Sequence, residues 1–329
     1  MKKKRMLSGL KPSGELTLGN YIGAIKQFPL YEDEYECFVF IPDLHAITVE
    51  QDPEKLRERI RKNLALYIAC GVDMNKNIFF IQSENPYHTC LGWILECNAG
   101  FGEMSRMTQF KDKRAKGENI SCGLFTYPAL MASDILLYDV DVVPVGIDQK
   151  QHVELARDLA IRMNSRYSEN TFKVPQPIIP KTGEKIKDLL NPTEKMGKSN
   201  QNTNGIIYLL EDVAVARKKI MRAVTDSEMV VRYDEVNKAG ISNLMQIYAS
   251  LKNITIQQVE DEFKDCNYGI FKKAVADCVC EFLTNVQEKY NQLINSNVLD
   301  EILDKGRDLS IEIAQKKYFE LCKQIGLGR

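Results

Sequence analysis

Apolar residues in the first half of the chain fall in short unbroken runs. Arg5-Met-Leu-Ser-Gly9, Cys37-Phe-Val-Phe-Ile41, Ile78-Phe-Phe-Ile81 and Asp141-Val-Val-Pro-Val-Gly146 are such runs. A run that does not alternate with polar residues suits a strand buried on both faces. Between the runs the apolar period changes. Asn20 to Leu30 has helical spacing, with Ile22, Ala24 and Ile25 on one side. Asp52-Pro53 offers an N-cap and a first-turn proline. Leu56, Ile60, Leu64 and Ile68 then follow at steps of four, and Gly71 closes the helix. A further helix is predicted over His152 to Met163. Strand and helix in alternation predict an α/β fold with a doubly wound parallel sheet.

The pattern changes after that. Lys173-Val-Pro-Gln-Pro-Ile-Ile-Pro180 is rich in proline and must be extended. From about residue 212 no strand run is found. Ile270, Phe271, Ala274, Val275, Cys278, Phe282, Val286 and Tyr290 recur at helical spacing. The expected organisation is an α/β part over 1–190, a joining loop over 191–205 and a helical part over 206–329. The last helix is a candidate to pack back on the first part.

Composition narrows the class. A chain of 329 residues, 44% apolar and 27% charged, has enough core for two domains. Lys and Arg total 44 against 45 Asp and Glu, a net charge of −1. No overall positive field draws in a polyanion, so any such partner must meet local patches. The basic start Met1-Lys-Lys-Lys-Arg5 is followed by too short an apolar run for a signal peptide. No apolar run reaches membrane-spanning length. The nine cysteines are scattered and show no CxxC pair. They read as reduced thiols, mostly buried, of a cytoplasmic protein with no membrane or DNA partner and no protein-held metal.

Two loops carry candidate chemistry. The first strand runs into Lys11-Pro-Ser-Gly14 and then Thr17-Leu-Gly-Asn20 before a helix. Ligands of open parallel sheets bind at the carboxyl ends of strands. Gly19 would let a nucleotide approach the backbone, with helix N–H groups behind it for phosphate. The loop is neither GxGxxG nor GxxxxGK[ST]. The second loop, Glu194-Lys-Met-Gly-Lys-Ser199, places two ammonium groups on a flexible hinge.

Thr17-Leu-Gly-Asn20 with Lys195-Met-Gly-Lys-Ser199 resembles the paired signatures of class I aminoacyl-tRNA synthetases. Asp43-Leu-His-Ala-Ile-Thr48, Met107-Thr-Gln-Phe-Lys111, Met131-Ala-Ser-Asp-Ile-Leu-Leu-Tyr138 and Val143-Pro-Val-Gly-Ile-Asp-Gln-Lys-Gln-His152 narrow the resemblance. Together these motifs resemble the bacterial-type tryptophanyl-tRNA synthetases. The resemblance runs from the first strand to Gly326-Leu-Gly-Arg329.

It implies a Rossmann-like catalytic part, a mobile lysine loop and a helical part that recognises the anticodon. The implied chemistry is attack of the tryptophan carboxylate on the α-phosphorus of ATP, then transfer of tryptophan to the 3′ end of tRNA(Trp). Such a step calls for positioning and charge stabilisation rather than a covalent nucleophile. Lys195 and Lys198 would hold the departing pyrophosphate, with Ser199 and loop backbone completing the clamp. Lys113 would reach the phosphates from another segment. Lys11, Pro12, Ser13, Thr17, Gly19, Asn20, Gly146, Ile147, Asp148, Ile186, Met196 and Gly197 would face ATP. Asp148 would accept from the ribose. Mg²⁺ would come with ATP, held by phosphate oxygens and water.

For the amino acid, Asp134 would accept the indole N–H, since that group only donates. Met131, Val143 and Val145 would supply apolar walls. Tyr127 and Gln149 would hold the ammonium, with His45 and Gln109 nearby. Arg217-Lys-Lys219, Arg222 and Lys316-Lys317 are candidate phosphate contacts for tRNA. A homodimer is implied.

Three positions depart from the family pattern. Lys11 stands where glutamine is usual, Gly197 where serine is expected and Ile147 where glutamate is common. They bear on loop motion and ATP affinity rather than on the reaction. The rivals are a tyrosyl-tRNA synthetase, a non-catalytic RNA-binding paralogue and a small-metabolite nucleotidyltransferase. An intact nucleotide glycine and lysine loop speak against the second. The helical part and the Asp134 segment have no purpose in the third.

Overall fold

The computed structural model describes residues 3–10, 14–117, 120–146, 149–179, 185–197 and 202–329. Five parallel strands form one sheet among them: β1 Lys4–Gly9, β2 Tyr35–Ile41, β3 Asn77–Ile81, β4 Val142–Pro144 and β5 Gln176–Ile178. Their order is β3-β2-β1-β4-β5. The first three strands build outward in one direction from β1 and the last two in the other. The winding therefore reverses between β1 and β4, and the crevice that such a reversal opens lies at their carboxyl ends.

Side chains alternate across the sheet, as the strand period requires. Met6, Val39 and Phe79 enter one apolar cluster, while Leu7, Phe38 and Phe80 enter the other. Both faces are buried, which explains the unbroken apolar runs. β4 is shorter than its run suggested. Asp141 stands before it, accepting from Arg5 N–H at 2.8 Å and pairing with Lys173 at 2.5 Å. The proline-rich stretch supplies β5, an edge strand of three residues, where proline is tolerated.

The expected helix over Asn20 to Leu30 is broken. It consists of α1 Leu18–Gly23, a 3₁₀ turn Ile25–Gln27 and α2 Phe28–Glu34. Ala24 leaves the helical region at φ −143°, and Pro29 lies in the first turn of α2. After β2 come α3 Asp43–Ala46 and α4 Pro53–Ala69, the latter capped by Asp52 on the N–H of Lys55. Gly71 follows at φ +107°, a left-handed value open to glycine. Between β3 and β4 lie α5 Tyr87–Glu96, α6 Phe101–Ser105, α7 Thr108–Ala115 and α8 Cys122–Leu136. α9 Lys150–Arg166 contains the predicted helix.

Past residue 212 the chain is helical: α10 Val213–Met221, α11 Ala239–Lys252, α12 Ile256–Phe263, α13 Tyr268–Ile294 and α14 Val298–Ile325. Ile270 opens the stripe predicted for α13 but is 52% exposed, because it sits in the first turn, outside the packed face. The first apolar cluster continues from Met6 and Leu64 into Ile247 and Val279, so the helices share a core with one face of the sheet. α14 then returns to β3 and α5. It crosses β3 at Gly306, where a Cβ would lie 1.7 Å from the Phe79 carbonyl oxygen. Any side chain there would lift the helix from the strand.

Four of the nine cysteines are buried, whereas Cys97 and Cys122 are exposed, contrary to a mostly buried set. Among the described residues no helix is long and apolar enough to cross a membrane.

Candidate active site

α1 begins with a reciprocal cap. The Asn20 N–H donates to Thr17 Oγ1 at 3.2 Å, and the Thr17 N–H donates to Asn20 Oδ1 at 3.0 Å. Thr17 Oγ1 also donates to Asn20 Oδ1 at 3.1 Å. The pairing satisfies backbone donors that a helix start leaves open. Both side chains named as nucleotide contacts are thus spent, at least in part, on shaping the turn. A second strand of chain is laced to this turn: Leu18 N–H donates to Ile207 C=O and Leu209 N–H to Leu16 C=O, each at 2.9 Å.

The lysine loop leaves from a short antiparallel stem. Asp188 N–H donates to Glu194 C=O and Met196 N–H to Ile186 C=O, both at 2.9 Å, with Lys187 facing Lys195. Asp188 steadies the turn by accepting from the Leu190 N–H at 2.8 Å and the Asn191 N–H at 3.0 Å. The stem is also held from α11. Asn243 accepts from Lys187 N–H at 2.8 Å and donates to Lys187 C=O at 2.9 Å. Ile186 and Met196 are buried, while Lys195 is exposed.

The two motifs meet at Gly19. A Cβ on Gly19 would lie 3.2 Å from the Met196 carbonyl oxygen and 3.3 Å from its Cβ. The residue expected to admit a nucleotide here admits the lysine loop. Gly197 is half-buried beside it. Lys11, Pro12, Ser13, Ile147, Asp148, Lys198 and Ser199 lie outside the described residues.

The second half of the site is built on α8, whose N-cap is Ser121. Tyr127, Met131, Asp134 and Tyr138 follow at helical spacing, the last just beyond the helix end. Asp134 is fully buried. Its Oδ1 accepts from Gln82 Nε2 at 2.7 Å and faces His88 Nδ1 at 2.6 Å, and its Oδ2 faces His45 Nε2 at 2.8 Å. Burial alone would raise this carboxyl, but the hydrogen bonds from His45 and His88 outweigh it and hold the group below the usual range. An ionised carboxylate only accepts, so both facing ring nitrogens carry hydrogen. Its two oxygens offer about four acceptor positions, of which three are taken.

Around it the rings of His45 and Tyr127 meet edge to face at 6.0 Å. The Tyr127 hydroxyl lies 2.5 Å from His152 Nε2, so it is partly committed before any ammonium arrives. Burial pushes this phenol well up. Val143 is buried on β4, and Val145 just after it donates its N–H to Ile178 C=O at 2.9 Å. Gly146 is exposed, and its C=O accepts from the Gln149 N–H at 3.0 Å, where α9 begins. Gln109 and Lys113 on α7 are half-buried.

Gln82 and His88 did not stand out in the sequence. The only available signal was position, since Gln82 directly follows the last residue of β3, at the carboxyl edge. Among the basic candidates, Lys219 pairs with Glu211 and Lys317 with Asp139, both with side chains about nine-tenths buried. Arg217 pairs with Asp277 at 2.6 Å. Lys218, Arg222 and Lys316 are exposed. A depression lined by Lys3, Glu32, Tyr35, Glu36 and Lys76 lies at the amino ends of β1 and β2, the far end of the sheet from this site.

A five-stranded parallel sheet with a lysine loop seated at its winding reversal is the frame of a class I synthetase. The chain belongs to that family: the sequence model described as "tRNA synthetases class I (W and Y)" matches residues 1–284. Within the family its relatives are tryptophan–tRNA ligases. The one from Oceanobacillus iheyensis is 51% identical over 326 residues, 99% of each chain. The one from Bacillus anthracis is 48% identical over 324 residues, 98% of each chain. Among solved structures, the tryptophanyl-tRNA synthetase of Mycoplasma pneumoniae superposes with a TM-score of 0.86 at 36% identity, covering 99% of this chain and 98% of that one. That of Campylobacter jejuni, complexed with ADP and tryptophan, gives 0.84 at 36% identity over 98% and 100%. A tyrosyl-tRNA synthetase from Archaeoglobus fulgidus, 20% identical with a TM-score of 0.66, shares the fold.

Proposed function

We propose that the chain activates L-tryptophan with ATP, giving tryptophanyl-adenylate and pyrophosphate, and then transfers tryptophan to tRNA(Trp). The observation that carries this reading is the Asp134 carboxylate. It is ionised, sealed from water and has one acceptor position left. That position suits a single N–H donor. A phenol both donates and accepts, and would need a donor beside the carboxylate as well. Full-length identity to tryptophan–tRNA ligases supports the same choice.

ATP would lie along the crevice between the carboxyl ends of β1 and β4. Thr17, Gly19 and Asn20 would border it at the start of α1, Gly146 and Asp148 in the segment after β4, and Ile186, Met196 and Gly197 in the lysine loop. Lys11, Pro12, Ser13 and Ile147 would complete the contact. Lys195, Lys198 and Lys113 would take up charge on the leaving pyrophosphate, which is where negative charge grows. Since Met196 already rests on Gly19, the loop must lift to admit ATP and close again for the reaction. Mg²⁺ would travel with the phosphates. Met131, Val143 and Val145 would enclose the indole, with Tyr127, Gln149 and His45 at the amino-acid end.

Residues 1–190 then form the catalytic part, 191–205 the mobile loop and 206–329 the anticodon-recognising part, in a cytoplasmic homodimer. ATP–pyrophosphate exchange with each of the twenty amino acids tests the reading. Exchange driven by tryptophan alone is expected, with charging of tRNA(Trp). Exchange driven by tyrosine would overturn it.

A further inference from the structure

We infer that His88, Tyr138 and Ser310 are positioning residues that fix the Asp134 carboxylate for the indole N–H, tying substrate choice to the C-terminal helix. The inference rests on the tryptophan reading above.

A buried chain of hydrogen bonds leads away from Asp134. His88, fully buried, uses Nδ1 on Asp134 Oδ1 and Nε2 on the Tyr138 hydroxyl at 2.8 Å. That hydroxyl also receives Asn85 Nδ2 at 3.1 Å. Asn85 Nδ2 reaches Ser310 Oγ on α14 at 3.3 Å as well. Ser310 in turn donates to Arg307 C=O at 2.8 Å. The Tyr87 N–H donates to Asn85 Oδ1 at 3.2 Å, which sets the orientation of the amide. One consistent set of hydrogens satisfies the chain. Asn85 donates to Tyr138, Tyr138 to His88 Nε2, and His88 Nδ1–H to Asp134. The His88 ring is caged by Phe40, Phe80 and Tyr138, with centroids 6.2, 6.0 and 5.6 Å away.

The consequence is directional. Gln82 and His88 fill Oδ1, so the carboxylate cannot turn to offer that oxygen to substrate. Only Oδ2, shared with His45, keeps an open acceptor position. Remove the Tyr138 hydroxyl and His88 Nε2 loses its partner. The ring is then held at its polar edges only by its own Nδ1–H on Asp134, and can shift together with that carboxylate. Asp134 keeps its place in the core but no longer its aim.

The test compares tryptophan with 3-benzothienylalanine, in which sulfur replaces the indole N–H. Both are assayed by ATP–pyrophosphate exchange on wild type, Tyr138→Phe, Ser310→Ala and His88→Asn, with thermal unfolding recorded for each. A site built on the N–H prefers tryptophan by a large factor in the wild type. Tyr138→Phe, which removes one oxygen atom, is expected to lower kcat/KM for tryptophan roughly tenfold through KM, the worth of about one hydrogen bond. The benzothienyl substrate should be little affected, so the preference falls. Ser310→Ala should move it the same way by less, and His88→Asn by more. Equal losses for both substrates, or an unchanged preference in folded Tyr138→Phe, overturn the inference. A wild type without preference for tryptophan overturns it too, whereas the tryptophan reading itself falls only if tryptophan drives no exchange in the wild type.

Discussion

At the scale of single residues the site depends on where charge is held. Asp134→Asn replaces an acceptor-only group with one that must point an N–H₂ at Gln82, His88 or His45. Each of those presents its own hydrogen to the carboxylate in the native protein. The expected result is a rise in tryptophan KM of roughly a hundredfold or more, as when a buried charged pairing is broken. Steady-state exchange measures it, and an unchanged KM would refute the role. Lys198→Ala and Lys195→Ala should act on the other term. The adenylation rate is expected to fall by roughly 10²–10³, while tryptophan affinity, read by equilibrium binding, stays near its native value. Equal losses in rate and affinity would contradict a leaving-group role. Asp134 and the lysine pair were singled out in the sequence because each sits in a local motif, although Lys198 lies outside the described residues. Gln82 and His88 were not. They reach Asp134 across 52 and 46 positions, and nothing in their neighbours marks them.

Among elements, the lysine-bearing stem is gripped from two sides. Gly19 receives Met196 in close contact, and Asn243 holds both backbone groups of Lys187. Asn243→Ala should remove the side-chain grip of α11 on Lys187. We expect the exchange kcat to fall about tenfold, for two hydrogen bonds partly replaced by water, with tryptophan KM unchanged. A KM effect alone would mean that the stem does not position the lysines. Gly19→Ala places a methyl 3.2 Å from the Met196 carbonyl oxygen. The loop must then shift by a few tenths of an ångström. ATP KM should rise while tryptophan binding, measured without ATP, is preserved. The sequence marked out a lysine loop but not its seat, since the stem pairs residues that lack any strand-like pattern. The same limit hid β5, where prolines conceal an edge strand, and the break in α1–α2, where apolar spacing persists across a bend at Ala24.

Across the whole molecule, the helical part is fastened by one interior cation. Lys238 is fully buried as a side chain and pairs with Asp226 and Glu228, each at 2.9 Å, while its Nζ meets the Tyr268 hydroxyl at 2.9 Å. Burial alone would raise Asp226. Hydrogen bonds from Tyr268 and Lys238 prevail and hold it at about 2. A carboxyl depressed in the folded state lends stability that is complete above its unfolded value of about 3.9. That share is lost as pH falls through about 2. In Asp226→Asn the stability between those values should therefore change less steeply with pH, as urea titrations at each pH would reveal. Lys238→Ala leaves the mostly buried Asp226 without its cation, while the exposed Glu228 turns to water, and is expected to cost about 2 kcal/mol at neutral pH. A loss under 1 kcal/mol would mean that water reaches the pair. The parallel sheet and the helical run past residue 212 were legible from periodicity. That the two share one core was not, because an apolar stripe does not name its partner.

The contact at Gly306 also bears on how the protein is made. β3 is an edge strand, and the helix that lies across it is made long after it. Until then the backbone around Phe79 is bare on that side, through the synthesis of more than two hundred residues. Nascent chains halted before α14 should therefore be protease-sensitive and prone to edge-to-edge pairing, and emergence of α14 should end that vulnerable interval.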